Sequence, residues 1–148
     1  MYCDDLAEDR LKSTDKIMAD VNEHLYLFTG DADNSHESWL EQIGCFSPVI
    51  HLQQSDGESS KHLPFTEINN KSGVVTGEKV LSALKKCYDT APDGMQKKCD
   101  EIYLTIELFF ASSTYNHDII YDYAESVEYW RRFVPEDGKR LDQLVALL

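Results

Sequence analysis

Cys3, Cys45, Cys87 and Cys99 are the side chains in this 148-residue chain whose type and spacing invite chemistry first. They are even in number, widely spread, and include no Cys-x-x-Cys pair. Zinc sites usually draw ligands in close pairs, so the spacing argues for two disulfides rather than a metal knot. The plainer alternative is four buried, reduced cysteines used as small hydrophobes. Three connectivities are open, and Cys87 and Cys99 flank one turn. Cys3 stands at the chain start, Cys45 just before Pro48, and Cys87 shortly before Pro92. Cysteines at element ends are placed to join elements, so two disulfides are expected. Bridges of that kind belong to an oxidising compartment, and the expected location is secreted and extracellular.

The histidines and carboxylates offer less. His24, His36, His51, His62 and His117 are scattered, and none stands three or four residues from another. Glu125 and Glu128 share a helix face, but no Glu-x-x-His accompanies them, which argues against a di-iron bundle. Asp31 and Asp33 alternate like the first ligands of a calcium loop. His36 stands where that loop needs Gly, and Gln42 where it needs a bidentate Glu. No GxSxG, HExxH, P-loop or GxGxxG motif occurs. The chain is therefore expected to be no enzyme and to need no cofactor.

The formal net charge is −13. It is concentrated in residues 1–75, with 14 acids and 5 bases, against 13 and 9 in residues 76–148. Such a field repels nucleic acid and anionic membranes and favours cationic partners. No apolar run is long enough to cross a bilayer, so no membrane insertion is expected. Met1 followed directly by Tyr2 and Cys3 fits a mature chain with an added start methionine.

The elements that would position these residues read as helices. Met95–Ser112 is the densest apolar stretch, unbroken by Gly or Pro, and its spacing predicts a central helix over about 95–112. A first helix is expected over 4–28. A second should be capped by Asn34 with Glu37 and end before Pro48. Residues 51–76 read as irregular, anchored by Leu63, Phe65 and Ile68. Thr76 caps a helix over 77–89, Ala91–Gly94 is a turn, and residues 117–134 form another helix. Leu141, Leu144, Val145 and Leu148 make a last one. The expected fold is all-α: one helical domain over 1–148, a bundle of six to seven helices. Tyr121 and Tyr129, eight residues apart, and the basic group Lys85, Lys86, Lys97 and Lys98 are candidate partner contacts. Asn70-Lys71-Ser72 is a glycosylation sequon.

Cys87-x11-Cys99-Asp100 followed by an apolar stretch is similar to the later cysteines of the insect odorant-binding fold, although that family has six cysteines. In size, helix content and cysteine number the whole chain resembles the mosquito salivary helical inhibitors of the anophensin and albicin type. The resemblance implies a secreted interaction protein that binds a host plasma or cell-surface protein in an immune, complement or haemostatic pathway. A carrier of a small hydrophobic ligand, lined by residues such as Trp39, Phe46, Phe109 and Trp130, is the alternative. A cytokine-like helical signal and an intracellular adaptor with free thiols are the remaining two.

Overall fold

The computed structural model describes residues 14–27, 30, 34–59, 61–91 and 96–148. The described residues up to His36 form one compact unit, and Glu37–Leu148 form a second. In the first unit, helix α1 (Thr14–Glu23) leads into a 3-10 turn, Leu25–Leu27. The start of the helix expected over 4–28 lies outside the described residues. The α-helix ends at Glu23, and His24 turns its Nδ1 to 2.9 Å from the Asp20 carbonyl oxygen. That contact satisfies one of the carbonyls a helix end leaves open.

The second unit corrects the all-α expectation, because it is built on two parallel strands. Helix α2 (His36–Ile43) and a 3-10 turn (Gly44–Phe46) precede strand β1 (Val49–Leu52). The chain then crosses over through helices α3 (Glu67–Asn70) and α4 (Gly77–Thr90) to strand β2 (Tyr103–Ile106). Helices α5 (Asn116–Arg131) and α6 (Leu141–Val145) follow. Val49 pairs with Tyr103 and Leu52 with Ile106 in parallel register. Parallel strands cannot be joined by a tight turn, and a helical crossover is their usual solution.

The stretch expected as the central helix is therefore the second strand, and residues 96–112 contain no helix. The reason lies in two periodicities that share the same residues. Ile102, Leu104 and Ile106 are helix-compatible, yet they also alternate with the exposed Tyr103 and Thr105. Short apolar runs admit both readings, and pairing decides between them. Here Tyr103 N–H donates to the Pro48 carbonyl at 2.8 Å and Glu107 N–H to that of Leu52 at 3.0 Å. The β-branched Thr105 and Ile106 suit the pleat.

Helix α4 agrees with the sequence. The Thr76 hydroxyl accepts from Lys79 N–H at 3.4 Å, and Val80, Leu81, Ala83, Leu84 and Cys87 form its buried stripe. Its first residue must be small: a Cβ at Gly77 would stand 2.2 Å from Cγ of Phe133.

Leu52, Phe65, Val80, Leu84 and Trp130 form the core, with Ile50, Leu104, Ile106, Tyr129 and Phe133 packed around it. Phe65 lies parallel to Tyr129 and edge-on to Trp130, both at 5.3 Å. One face of the strand pair, Ile50 and Leu52 with Leu104 and Ile106, therefore rests on helices. The other presents Val49, His51, Tyr103 and Thr105 outward.

Candidate functional site

The outward face carries the chemistry. His51 is the third residue of β1, and Glu107 directly follows β2, so both emerge at the C-terminal ends of parallel strands. In open α/β sheets that is the side where ligands bind. His51 Nδ1 stands 3.0 Å from Glu107 Oε2. His62, returned by the loop after β1, brings Nε2 to 3.8 Å from the same oxygen. Its ring lies flat on Phe109, with centroids 3.9 Å apart and planes within 4°. Phe109 N–H also donates to the His62 carbonyl at 3.2 Å. The His62 side chain is 17% exposed, that of Glu107 33% and that of His51 55%, which grades the group from sheltered to open.

The loop that delivers His62 is closed at its base by a reciprocal pair of backbone bonds. Gln54 N–H donates to the Leu63 carbonyl at 2.8 Å, and Leu63 N–H to that of Gln54 at 3.0 Å. Within it, Ser55 Oγ accepts from Gly57 N–H, and Lys61 pairs with Asp56. His62 itself adopts a left-handed backbone, φ 49°, which non-glycine residues use sparingly.

A cleft of about 590 Å³ opens beside the group, lined in part by Phe109, Thr66, Asn69, Thr114, Asp122 and Glu125. Phe109 belongs to both: it lines the cleft and stacks on the imidazole of His62. Burial, and then the nearby Asp118 carboxylate, push the Asp122 carboxyl above its ordinary value. Hydroxyl and amide donors beside carboxylates and an aromatic ring suit a hydroxylated ligand. Among the described residues no three His, Cys, Asp or Glu side chains converge on a position for a metal ion.

Sequence reasoning did not single out His51, His62 or Glu107. No two histidines stand one helical turn apart in the sequence, and these three residues meet by strand pairing and loop return. The available signal was alternation: Val49-Ile50-His51-Leu52 after Pro48, and Tyr103-Leu104-Thr105-Ile106 leading to Glu107.

The residues that the sequence did single out lie elsewhere. Cys45, Cys87 and Cys99 come together but are free thiols, which corrects the expectation of two disulfides; Cys3 lies outside the described residues. Cys45 N–H donates to Cys87 Sγ at 3.3 Å, and Cys99 N–H to the Cys45 carbonyl at 2.8 Å. Burial, and then the Cys87 thiol beside it, push the Cys45 thiol up to about 11. It is held as S–H in a packed interior, where it is a poor nucleophile. Tyr129 is partly buried and packs against the core, and Tyr121 is exposed, its ring tilted against His117. The basic group is paired off: Lys85 with Asp89, Lys86 with Glu41, Lys97 with Asp100, while Lys98 donates to the Tyr88 carbonyl. The Asn70 amide, expected as a glycan acceptor, is used internally between Gln54 and the Phe65 carbonyl. Asp31 and Asp33 lie outside the described residues.

No protein-family model matches the chain. It is 29% identical over 126 residues to a D-erythrulose 1-phosphate 3-epimerase of Brucella abortus (strain 2308), covering 84% of this chain and 37% of that protein. The chain thus spans well under half the length of the curated relative it matches. This similarity overturns four expectations together: a non-enzymatic binder, a host-protein partner, the hydrophobic-ligand or signalling alternatives, and the likeness to salivary and odorant-binding proteins. The relative bears the name of an enzyme acting on a small molecule, and the paired strands fit no helical bundle.

Proposed function

We propose that the chain carries part of the active site of an epimerase that inverts a hydroxyl-bearing carbon next to the carbonyl of a small phosphorylated ketose. One observation carries the reading: the Glu107 carboxylate stands between two imidazoles at the shared C-terminal end of β1 and β2. The name of the Brucella relative supplies the substrate class.

The chemistry follows from the carbon acid. In a 2-ketose the C3–H bond lies beside the carbonyl. Glu107 takes the C3 proton, and the electron pair of the broken bond moves onto the C2 oxygen, giving an enediolate. Both imidazoles approach Oε2, which leaves Oε1 of the carboxylate to face the substrate. His51 and His62 hold the carboxylate in place through Oε2, and the oxygen on which negative charge develops needs an N–H or O–H donor beside it. Return of a proton to the opposite face of C3 inverts the centre, and that step needs a second acid within hydrogen-bond reach. The cleft beside Phe109 takes the hydroxylated end of the substrate. Its carboxylates exclude the phosphate, which is left at the open, His51 side.

Incubating the chain with D-erythrulose 1-phosphate in D2O tests the reading directly. We expect deuterium at C3, followed by NMR, and its loss in Glu107→Gln. Deuterium uptake no faster than in a protein-free control would sink the proposal.

A further inference from the structure

We propose that Gln54 is a positioning residue for this site: its buried carboxamide fixes the base of the crossover loop so that His62 is held against Glu107. The catalytic consequence rests on the proton-transfer reading above; the placement of His62 does not.

Gln54 is 1% exposed, among the largest side chains that the core encloses completely. A buried carboxamide must find partners for two donors and two lone-pair directions. This one does so fully. Nε2 donates to Asn70 Oδ1 at 2.8 Å and to the Val75 carbonyl at 3.0 Å. Oε1 accepts from Ser55 N–H at 3.1 Å and from Val75 N–H at 3.0 Å. One side chain therefore ties together β1's exit, helix α3 and the segment entering α4. The backbone of the same residue makes the reciprocal pair with Leu63. His62 is the residue before Leu63, so its position is set from Gln54 on one side and from Phe109 on the other.

Gly73 adds an independent observation. A Cβ there would stand 2.2 Å from Gln54 Cδ and 2.3 Å from Nε2. The chain leaves a side chain out at that point, and the carboxamide fills the space. A leucine could fill the same volume with no polar group to satisfy. A fully satisfied polar network instead specifies one geometry. That geometry matters where His62 already occupies a left-handed backbone that an unrestrained loop would relax.

The experiment compares Gln54→Met, which keeps the volume and loses all four side-chain bonds, with Asn70→Ala, a milder change that removes one of the four together with the Asn70 bond to the Phe65 carbonyl. The first readout is the proton NMR spectrum of His62 in the full chain. Stacked on Phe109, its ring protons should be shifted upfield by the aromatic ring current. We expect that shift to collapse in Gln54→Met and to weaken in Asn70→Ala, with the His117 signals unmoved. The second readout is C3–H exchange in a double-mutant cycle. Gln54→Met and His62→Ala should each slow exchange by about 10- to 100-fold, the scale of a displaced catalytic group. The double variant should be no slower than His62→Ala alone, because both act through one imidazole. An unchanged His62 shift in folded Gln54→Met overturns the proposal, as do losses that multiply in the double variant. If Gln54→Met does not fold, Asn70→Ala decides it by the same shift. If the native chain exchanges no C3 proton, the epimerase reading fails, while the His62 shift still decides the role of Gln54.

Discussion

His51 Nδ1 and Glu107 Oε2 meet at 3.0 Å, although their strands are joined only through α3 and α4. The pair exists because β1 and β2 run in the same direction and end together. Glu107→Gln keeps the size of the side chain and one acceptor oxygen and removes its basicity. We expect it to lower C3–H exchange by about 100- to 10,000-fold, with an unchanged circular dichroism spectrum. A variant within twofold of the native rate would show that another group takes the proton.

Ser126 is fully buried on α5, and its Oγ accepts from Phe65 N–H at 2.9 Å while donating to the Asp122 carbonyl at 2.6 Å. Ser126→Ala leaves the Phe65 N–H buried without an acceptor. An unsatisfied buried amide costs about 1–3 kcal/mol, which urea denaturation would read as a lower midpoint.

Gly77→Ala drives a methyl group into the Phe133 ring at the start of α4. The ring is packed against the core and has little room to yield. Overpacking of this kind should cost about 1–3 kcal/mol. The same substitution at Gly138, where nothing lies within 4 Å but φ is 73°, should lose stability through backbone strain instead. Thermal melts of the two variants, each paired with a serine replacement, separate the causes: a larger side chain worsens only the position that is short of space.

Cys45 gives a pH dependence of known sign. Its thiol is raised from 9.0 to about 11 in the folded chain. The folded state then holds the proton more tightly than the unfolded one, so this contribution is intact below pH 9 and is lost as pH rises from about 9 to about 11. Cys45→Ala should flatten that part of the stability curve. Alkylation in denaturant without reductant should label Cys45, Cys87 and Cys99 together, and protection of any pair would contradict the free thiols.

The helices were more legible than the strands, for a physical reason. Thr76 as a cap and the Val80–Leu84–Cys87 stripe specify α4 locally, so the sequence alone locates it. Ile102, Leu104 and Ile106 do not specify β2 locally, because a four-residue strand acquires its identity from a partner more than fifty positions away. The site inherits the same difficulty. His51, His62 and Glu107 are ordinary surface residues until β1 pairs with β2 and Gln54 returns the loop. The cysteines misled in the opposite direction: they do gather, but as packed S–H groups, and spacing does not distinguish gathering from bonding.

The parallel pairing also sets an order of events during synthesis. A ribosome adds about 5–20 residues per second, so β1 waits several seconds for Tyr103–Ile106 to be made. Through that interval Val49–Leu52 is an unpaired edge, open to strands of other nascent chains. Helix α4 forms from local contacts and can shelter Leu52 first, but it cannot occupy the strand's hydrogen-bonding groups. The carboxylate that meets the two imidazoles is thus made after both of them, and synthesis halted before residue 107 would yield a chain with both imidazoles and no carboxylate between them.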